Sequence, residues 1–589
     1  MIRICRYLSK GEVGQLFVVI AFIVGQVWLD LKLPDYMSDI TELVETPGSQ
    51  MSEVWKAGGK MLMVSFLSLV CAIITSYFAT RVASSFSQTL RSLEFAKVES
   101  FSREELSHFS TASLITRSTN DVTQVQMFIT MGLMMLIKAP IMAVWAVCKI
   151  AGKGFEWTVT TGIAVAILLV SVFLLMLFVM PKFKRMQRLT DNINQVAREN
   201  LTGLKVVRAY NAEHYQEDKF TKANSELTNT QLSTTRAMSL MMPLMNTIMN
   251  GLMLAVYWIG AYLINAANLM DKITLFGNMV VFSSYAVQVI MSFLLMSMVF
   301  VLWPRADVSA QRIMEVLDTK LTIVDGSESS GKPDQDGSVV FRDVSFTYHG
   351  ASAPILEHVD FEVKKGQTIA FIGSTGSGKS TLINLVPRFA DVSSGQVMVD
   401  GVDVRDYKVK DLRDKIGYVP QQSLMFRGTV ESNVAYGDKA KNVDEQEKLD
   451  GVKEAVQVAQ AQEFVADMPG TYRAAIAQGG SNVSGGQKQR LSIARALWRK
   501  PEILIFDDSF SALDFKTDRA VRDALKTQMK GTTTMIVAQR IGTIMDADEI
   551  VVLDQGKVVG KGTHKQLLKS CEVYQQIARS QLTEKELAA

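Results

Sequence analysis

The chain has 589 residues, of which 48% are apolar and only 21% charged. Its mean hydropathy of +0.15 suits a protein that is partly membrane-embedded. A net charge of +3 makes no case for a nucleic-acid surface. Cys5, Cys71, Cys148 and Cys571 are too scattered for a close-spaced metal pattern or a disulfide framework. The two in apolar runs, Cys71 and Cys148, are expected to be small core residues.

Arg3, Arg6 and Lys10 precede the first apolar run, which places this end in the cytoplasm by the positive-inside rule. That run is too long for a signal h-region and lacks a small-residue cleavage site. Six apolar segments follow, at Val13–Leu33, Met61–Thr80, Ile129–Ile150, Trp157–Met180, Leu240–Leu263 and Leu275–Val301. Each can cross a hydrocarbon core that needs about 20 helical residues. Asp35, Asp39, Glu42, Glu45 and Glu53 mark the first loop as outward-facing. Arg81, Arg91, Lys97, Arg103 and Arg117 mark the next connection as inward. Lys182, Lys184, Arg185, Arg188, Arg198 and Lys205 do the same between spans four and five. Short loops near Lys153 and at Asn265–Lys272 fall outside, so both chain ends are cytoplasmic. The two inner segments are helix-compatible and are expected to turn at Glu104–Ser113 and Ala209–Glu217, within reach of a cytoplasmic domain. Plain solvated loops are the alternative.

Within the spans, Lys138 is either a functional intramembrane charge or a side chain snorkelling at the inner interface, with snorkelling preferred. Asn246, Asn250 and Gln288 either join helices or line a cavity. Methionines concentrate in spans three, five and six, among them Met131, Met242, Met245, Met291 and Met298. Thioethers re-pack around varied apolar shapes, as a promiscuous pocket requires, and equally serve ordinary helix packing. Trp303-Pro304-Arg305 is expected to end the sixth span, with helix resuming to about Leu317.

The reading is therefore a transmembrane domain of six α-helices with long cytoplasmic extensions over 1–318, then a polar linker at 319–337. From Ser338 strands alternate with helical patterns, which gives an α/β domain over 338–589. Its first motif is Gly373, Ser374, Thr375, Gly376, Ser377, Gly378, Lys379, Ser380 and Thr381, fitting G-x-x-x-x-G-K-[ST]. An apolar run stands before it and a helix-compatible stretch after it. The loop can turn backbone N–H groups toward phosphate oxygens, Lys379 adds a charge, and the Ser380 hydroxyl is a Mg²⁺ ligand candidate.

The motif order resembles the exporter type of ATP-binding cassette (ABC) transporter, a P-loop NTPase domain fused behind six spans. The resemblance implies that Tyr348 stacks on adenine and that Gln421 stands between nucleotide and membrane domain. Ser484, Gly485, Gly486 and Gln487 match the signature, Asp507 the Walker B aspartate, and Asp514 ends the D-loop match Ser511–Asp514. ATP and Mg²⁺ are the implied cofactors, with Ser380, Gln421 and Asp507 toward the metal. Two cassettes sandwich two ATP molecules in this family, so the chain resembles a half-transporter that needs a second subunit.

Three positions depart from the family pattern. Asp508 stands where the catalytic base is normally Glu, which withdraws its carboxylate by roughly 1.3 Å. Gln539 replaces the switch histidine and cannot carry a proton. Ala477-Gln478-Gly479-Gly480 lacks the usual Glu. The pattern is similar to one subunit of heterodimeric exporters that have one degenerate and one competent ATP site. On that reading hydrolysis occurs mainly at the partner's Walker site, which this chain's signature completes. A slowly hydrolysing homodimer is the alternative. The expected function is multidrug-type efflux of lipophilic or amphipathic compounds through a bacterial plasma membrane, in contact with membrane lipid. A lipid flippase or peptide exporter is the nearest competitor, and an ATP-liganded regulator or channel the competitor from another class.

Overall fold

In a computed structural model of the chain, residues 1–46, 49–151, 154–437 and 443–582 are described, with backbone alone at 2, 133, 184, 269–271, 297, 300 and 301. The loop expected at Lys153 and the Lys184 side chain lie outside the described residues. Contacts divide the chain into two compact units. One holds Met1–Glu99 and Thr111–Thr319; the other holds Ser100–Ser110 and the chain from Lys320 onward.

The first unit is helical, and six of its helices are long and apolar enough to cross a membrane. The first begins at Ser9, whose side chain and that of Glu12 form a capping box. It breaks after Asp30 and resumes as Leu33–Glu45, with Pro34 in the first turn. The acids Asp35, Asp39, Glu42 and Glu45, expected in a loop, therefore ride on a helix. Glu53 likewise opens the 49-residue helix Met51–Glu99. The third span runs Thr111–Ala151 through two π-helical turns, Arg117–Asp121 and Phe128–Gly132. The fourth, Phe155–Thr202, has 48 residues. The chain then turns at Gly203 to Ala212, about a turn and a half earlier in sequence than expected, because Gly203 leaves helical geometry and Asn211 sits at φ 49°. Leu269–Asp318 is one helix of 50 residues with Pro304 inside it. The helix expected to resume after Trp303-Pro304-Arg305 and reach about Leu317 is present, but it runs through these residues without a break. Proline removes one backbone donor, and the helix continues beyond it to Asp318, with Ala310 and Ile313 buried.

The helices pack around Trp157, Phe282 and Tyr285, all almost completely buried. Trp157 Nε1 donates to the Val256 carbonyl at 3.2 Å, so this indole keeps a partner in an apolar core. A Cβ on Gly260 would lie 2.3 Å from the Met279 sulfur, so glycine lets those helices approach. Met245 is buried while Met131, Met242, Met291 and Met298 are exposed. Asn246 and Asn250 are exposed, and Gln288 Oε1 is buried without a hydrogen bond. Cys71 is buried as expected, but Cys148 is exposed; Cys571 is the other buried cysteine.

Lys138, expected to snorkel at the inner interface, has a carboxylate beside it. Its Nζ lies 3.2 Å from Asp30 Oδ2, and Ser68 donates to the other Asp30 oxygen. Asp30 is the last residue of the helix that starts at Lys10, so this pair stands about 30 Å along that helix from its basic end. A counter-charge makes a cation tolerable on an apolar helix. Further along, Lys149 Nζ meets Asp35 Oδ2 at 2.8 Å, and the Tyr285 hydroxyl donates to Asp35 Oδ1 at 2.8 Å. Lys138→Met will leave Asp30 without its cation and lower stability by about 3 kcal/mol. Adding Asp30→Asn will recover most of the loss. Unfolding curves of the two variants in lipid nanodiscs check this.

The second unit contains a small sheet of β7 (Gly428–Thr429) and β8 (Ala475–Ile476), and two larger sheets. One is antiparallel, order β2-β1-β4-β5, built from β1 (Val339–Phe346), β2 (Leu356–Val363), β4 (Ser394–Val399) and β5 (Val402–Asp403). The other runs β12-β11-β3-β10-β9-β6. Its strands are β3 (Thr368–Gly373), β6 (Ile416–Val419), β9 (Ile503–Asp507), β10 (Thr533–Val537), β11 (Glu549–Asp554) and β12 (Lys557–Gly562). All pairings in it are parallel except β11 with β12. β3, β9 and β10 are almost wholly buried, which fits their unbroken apolar runs. Part of the expected linker is docked on this unit. Gly326 N donates to Tyr407 O, Glu328 N to Asp406 O and Lys332 N to Asp400 O, at 2.8–2.9 Å. Ser100–Ser110 carries the helix Arg103–His108, capped by Ser102 and Glu105. Thr322 N and its hydroxyl both donate to Glu105 Oε1, at 2.6 and 2.7 Å. Burial alone would raise the Glu105 carboxyl, but the bonds from Ser102 and Thr322 prevail and hold it at about 2.

Candidate functional site

Parallel strands point one end of the sheet at one place, and β3, β10, β9 and β6 stand side by side. The loop Gly373 to Gly378 follows β3. Asp507 ends β9, Gln539 lies two residues past β10, and Gln421 two residues past β6. Four segments distant in sequence thus converge by topology.

The loop has the shape its glycines permit. Gly373, Gly376 and Gly378 have φ of 156°, 85° and 94°. A Cβ on Gly373 would lie 1.9 Å from the Leu553 carbonyl oxygen, so no other residue fits. Lys379, 9% exposed, folds back over the loop. Its Nζ donates to the carbonyls of Gly373 at 2.9 Å and Ser374 at 2.7 Å, and to the Ser377 hydroxyl at 3.2 Å. Burial lowers its pKa while Asp508 and Asp507 oppose the shift. Ser374, Thr375 and Gly376 form the exposed crest of the loop. Thr381 Oγ1 lies 3.0 Å from the Tyr348 hydroxyl, which ties the aromatic to the loop's helix, Lys379–Leu385.

Ser380 Oγ donates to Asp507 Oδ1 at 2.7 Å, and burial raises Asp507. Two octahedral Mg²⁺ ligands lie about 3 Å apart, so this hydroxyl and carboxylate fit the hard cation. The Gln421 amide instead faces Asp508, with Nε2 3.4 Å from Oδ2. Gln539 Nε2 donates to the same oxygen at 2.8 Å. Asp508 is 7% exposed and pushed up by burial. Its backbone adopts φ 48°, a region Asp tolerates better than most side chains, and its N–H donates to Val537 O at 3.0 Å. Asp508 is thus held by two amides, neither of which can accept or relay a proton as imidazole does.

The signature stands apart from this cluster. Ser484 Oγ accepts from Gln487 N at 3.3 Å and Ser484 N donates to Gln487 Oε1 at 2.9 Å, a capping box that opens the helix Gly485–Trp498. Ser484 and Gly485 are exposed, and a Cβ on Gly486 would touch Ala512 O at 3.5 Å. Asp514 caps the helix Phe515–Gln528 through Thr517 N at 3.0 Å. Arg540 reaches the carbonyls of Ser511 and Leu513 at 3.3 and 3.5 Å, joining this region to the Gln539 segment.

Sequence reasoning missed Tyr418, whose hydroxyl donates to Asp507 Oδ2 at 3.3 Å and Asn384 Oδ1 at 3.0 Å. It stands three residues before Gln421, near the end of β6, so a strand-end position was its only signal.

Two family descriptions match. ABC transporter covers residues 356–511, and ABC transporter transmembrane region covers residues 16–293. An uncharacterized ABC transporter ATP-binding protein of Mycobacterium tuberculosis is 39% identical, covering 94% of this chain and 93% of the relative. An ATP-dependent lipid A-core flippase of Aromatoleum aromaticum is 32% identical, covering 87% and 83%. A solved bacterial Atm1-family ABC exporter with ATP bound aligns at a TM-score of 0.78 and 23% identity, over 98% of this chain and 99% of that one. That last likeness concerns the fold.

Proposed function

Because this chain belongs to the ABC transporter family and carries both its transmembrane region and its ATPase domain, we propose that it is one half of a heterodimeric exporter and supplies the degenerate ATP site. ABC exporters work as dimers. The carrying observation is Asp508, a shortened carboxylate fixed by the Gln539 and Gln421 amides where a base and a proton carrier are needed. The loop N–H groups of Gly373 to Thr381 bind the phosphates, Lys379 turns from the loop carbonyls toward them, and Tyr348 stacks on the base. Ser380 and Asp507 would hold Mg²⁺, which would supply neutralisation of the nucleotide's phosphate charge. Ser484 to Gln487 present a hydroxyl, bare backbone and a helix N-terminus to the nucleotide in the partner's site.

The cargo is a lipophilic or amphipathic compound, and the apolar, Met-containing helices support that class. A lipid cargo is the second reading, favoured by the relatives named lipid A-core flippases. Basic connections between spans support both chain ends being cytoplasmic, and the bacterial relatives support a bacterial plasma membrane. Purified alone, the chain will bind ATP yet turn it over at least about tenfold more slowly than the co-purified pair. Brisk turnover by the lone chain overturns the degenerate-site reading. Cargo-stimulated turnover in proteoliposomes separates an exporter from a non-transporting regulator.

A further inference from the structure

The Tyr348 ring is bounded by named neighbours. Phe346 packs edge-on against it at 4.9 Å, and Thr381 meets its hydroxyl. The guanidinium carbon of Arg103 lies 5.9 Å from the ring centroid. Arg103 comes from Ser100–Ser110, the segment between the second and third spans that belongs to the same compact unit as Tyr348. Its backbone is fixed, since Arg103 opens the helix that Ser102 caps and Glu105 anchors to Thr322. A second contact joins the same surfaces, His349 Nδ1 to Glu104 Oε1 at 3.5 Å. Arg103, Tyr348, Thr381, Asn384, Phe389 and Asp391 share one cavity of about 560 Å³.

A base stacked between the Tyr348 ring and a guanidinium needs about 7 Å between the two, twice an ordinary contact distance. The observed 5.9 Å is too short for an intervening base. We propose that Arg103 and the purine base of ATP exchange on the Tyr348 ring: the guanidinium covers the ring until the base displaces it. This rests on Tyr348 being the nucleotide's stacking platform. Arg103 is then a positioning residue that reports base occupancy to the segment between spans two and three, independently of the phosphates.

The test compares equilibrium binding of MgATP with that of Mg-tripolyphosphate, which has no base, to the purified full-length chain. Arg103→Ala removes the competitor and will tighten ATP about two- to fivefold, the size of an exposed cation–π contact, leaving tripolyphosphate unchanged. Arg103→Gln will behave like the alanine variant and Arg103→Lys like the parent. Weaker ATP binding with unchanged tripolyphosphate would mean that Arg103 grips the base, and overturns the exchange. Equal weakening of both ligands would make it a phosphate residue, and unchanged affinities would make it a bystander; either result also overturns the proposal. Tyr348→Ala is the independent control. If it leaves ATP affinity intact, the stacking platform itself fails, whatever Arg103 does.

Discussion

In the reconstituted assembly, Gly485→Asp in this chain will lower ATP turnover at least about 100-fold, while Asp508→Ala will change it by less than about threefold. The contrast follows from where the two side chains stand. A Cβ at Gly485 meets nothing within 4 Å, and the residue is exposed at the first position of a 14-residue helix. Aspartate there is compatible with the chain's own fold and even complements the helix dipole. On the proposed reading it places a negative charge where a phosphate of the partner's nucleotide has to sit. Asp508, by contrast, is buried among amides that offer no proton path, so truncating it removes little chemistry. Steady-state phosphate release by wild-type and variant pairs in nanodiscs, beside thermal unfolding of each, checks both numbers. An equal collapse for Asp508→Ala would mean that this chain's own Walker site performs the hydrolysis.

The double substitution Asp508→Glu with Gln539→His will raise turnover by self-assembled copies of this chain about 10- to 100-fold. The added methylene returns the carboxylate to the distance an attacking water requires, and a displacement near 1 Å is worth about 100-fold in rate. The histidine restores a group that can donate while carrying charge. Asp508→Glu alone will gain less, because Gln539 Nε2, now 2.8 Å from the carboxylate, still holds the group away from water. There is a counter-effect in the backbone. At φ 48° a glutamate is less at ease than an aspartate, so the active variant will unfold at a slightly lower temperature. A rate gain with a modest loss in Tm is the expected pair of readings. No gain in rate would place the defect elsewhere, with Ala477–Gly480 before the signature, which lacks the usual Glu, as the next stretch to restore.

Features that depend on neighbours in sequence were legible. The loop Gly373 to Thr381 declared itself because strand, glycines and helix follow one another directly, and the six spans because apolar runs of the needed length are rare by accident. Asp507 could be placed at a strand end from its apolar run alone. What escaped depends on partners far along the chain. Lys138 looked like a stray charge because Asp30 lies 108 positions away. Pro304 looked like a break because sequence shows the lost donor and hides the packing that carries the helix past it. The turn near Gly203 was placed late because the polar helix-compatible stretch on either side gives no periodic edge. Tyr418 and Arg103 escaped for a different reason: each acts by touching a residue that only the sheet order or the docked segment brings near.

The unbroken helix Leu269–Asp318 also has a mechanical meaning. Measured from Pro304, it has a short arm of about 21 Å toward Asp318 and a long arm of about 52 Å toward Leu269. If the proline is the fulcrum, a sideways step of about 1 Å at the short end sweeps the distant tip by about 2.5 Å. A stiff rod with unequal arms enlarges a small displacement at its short end into a larger one at its far tip, with no need for the rod itself to bend or melt.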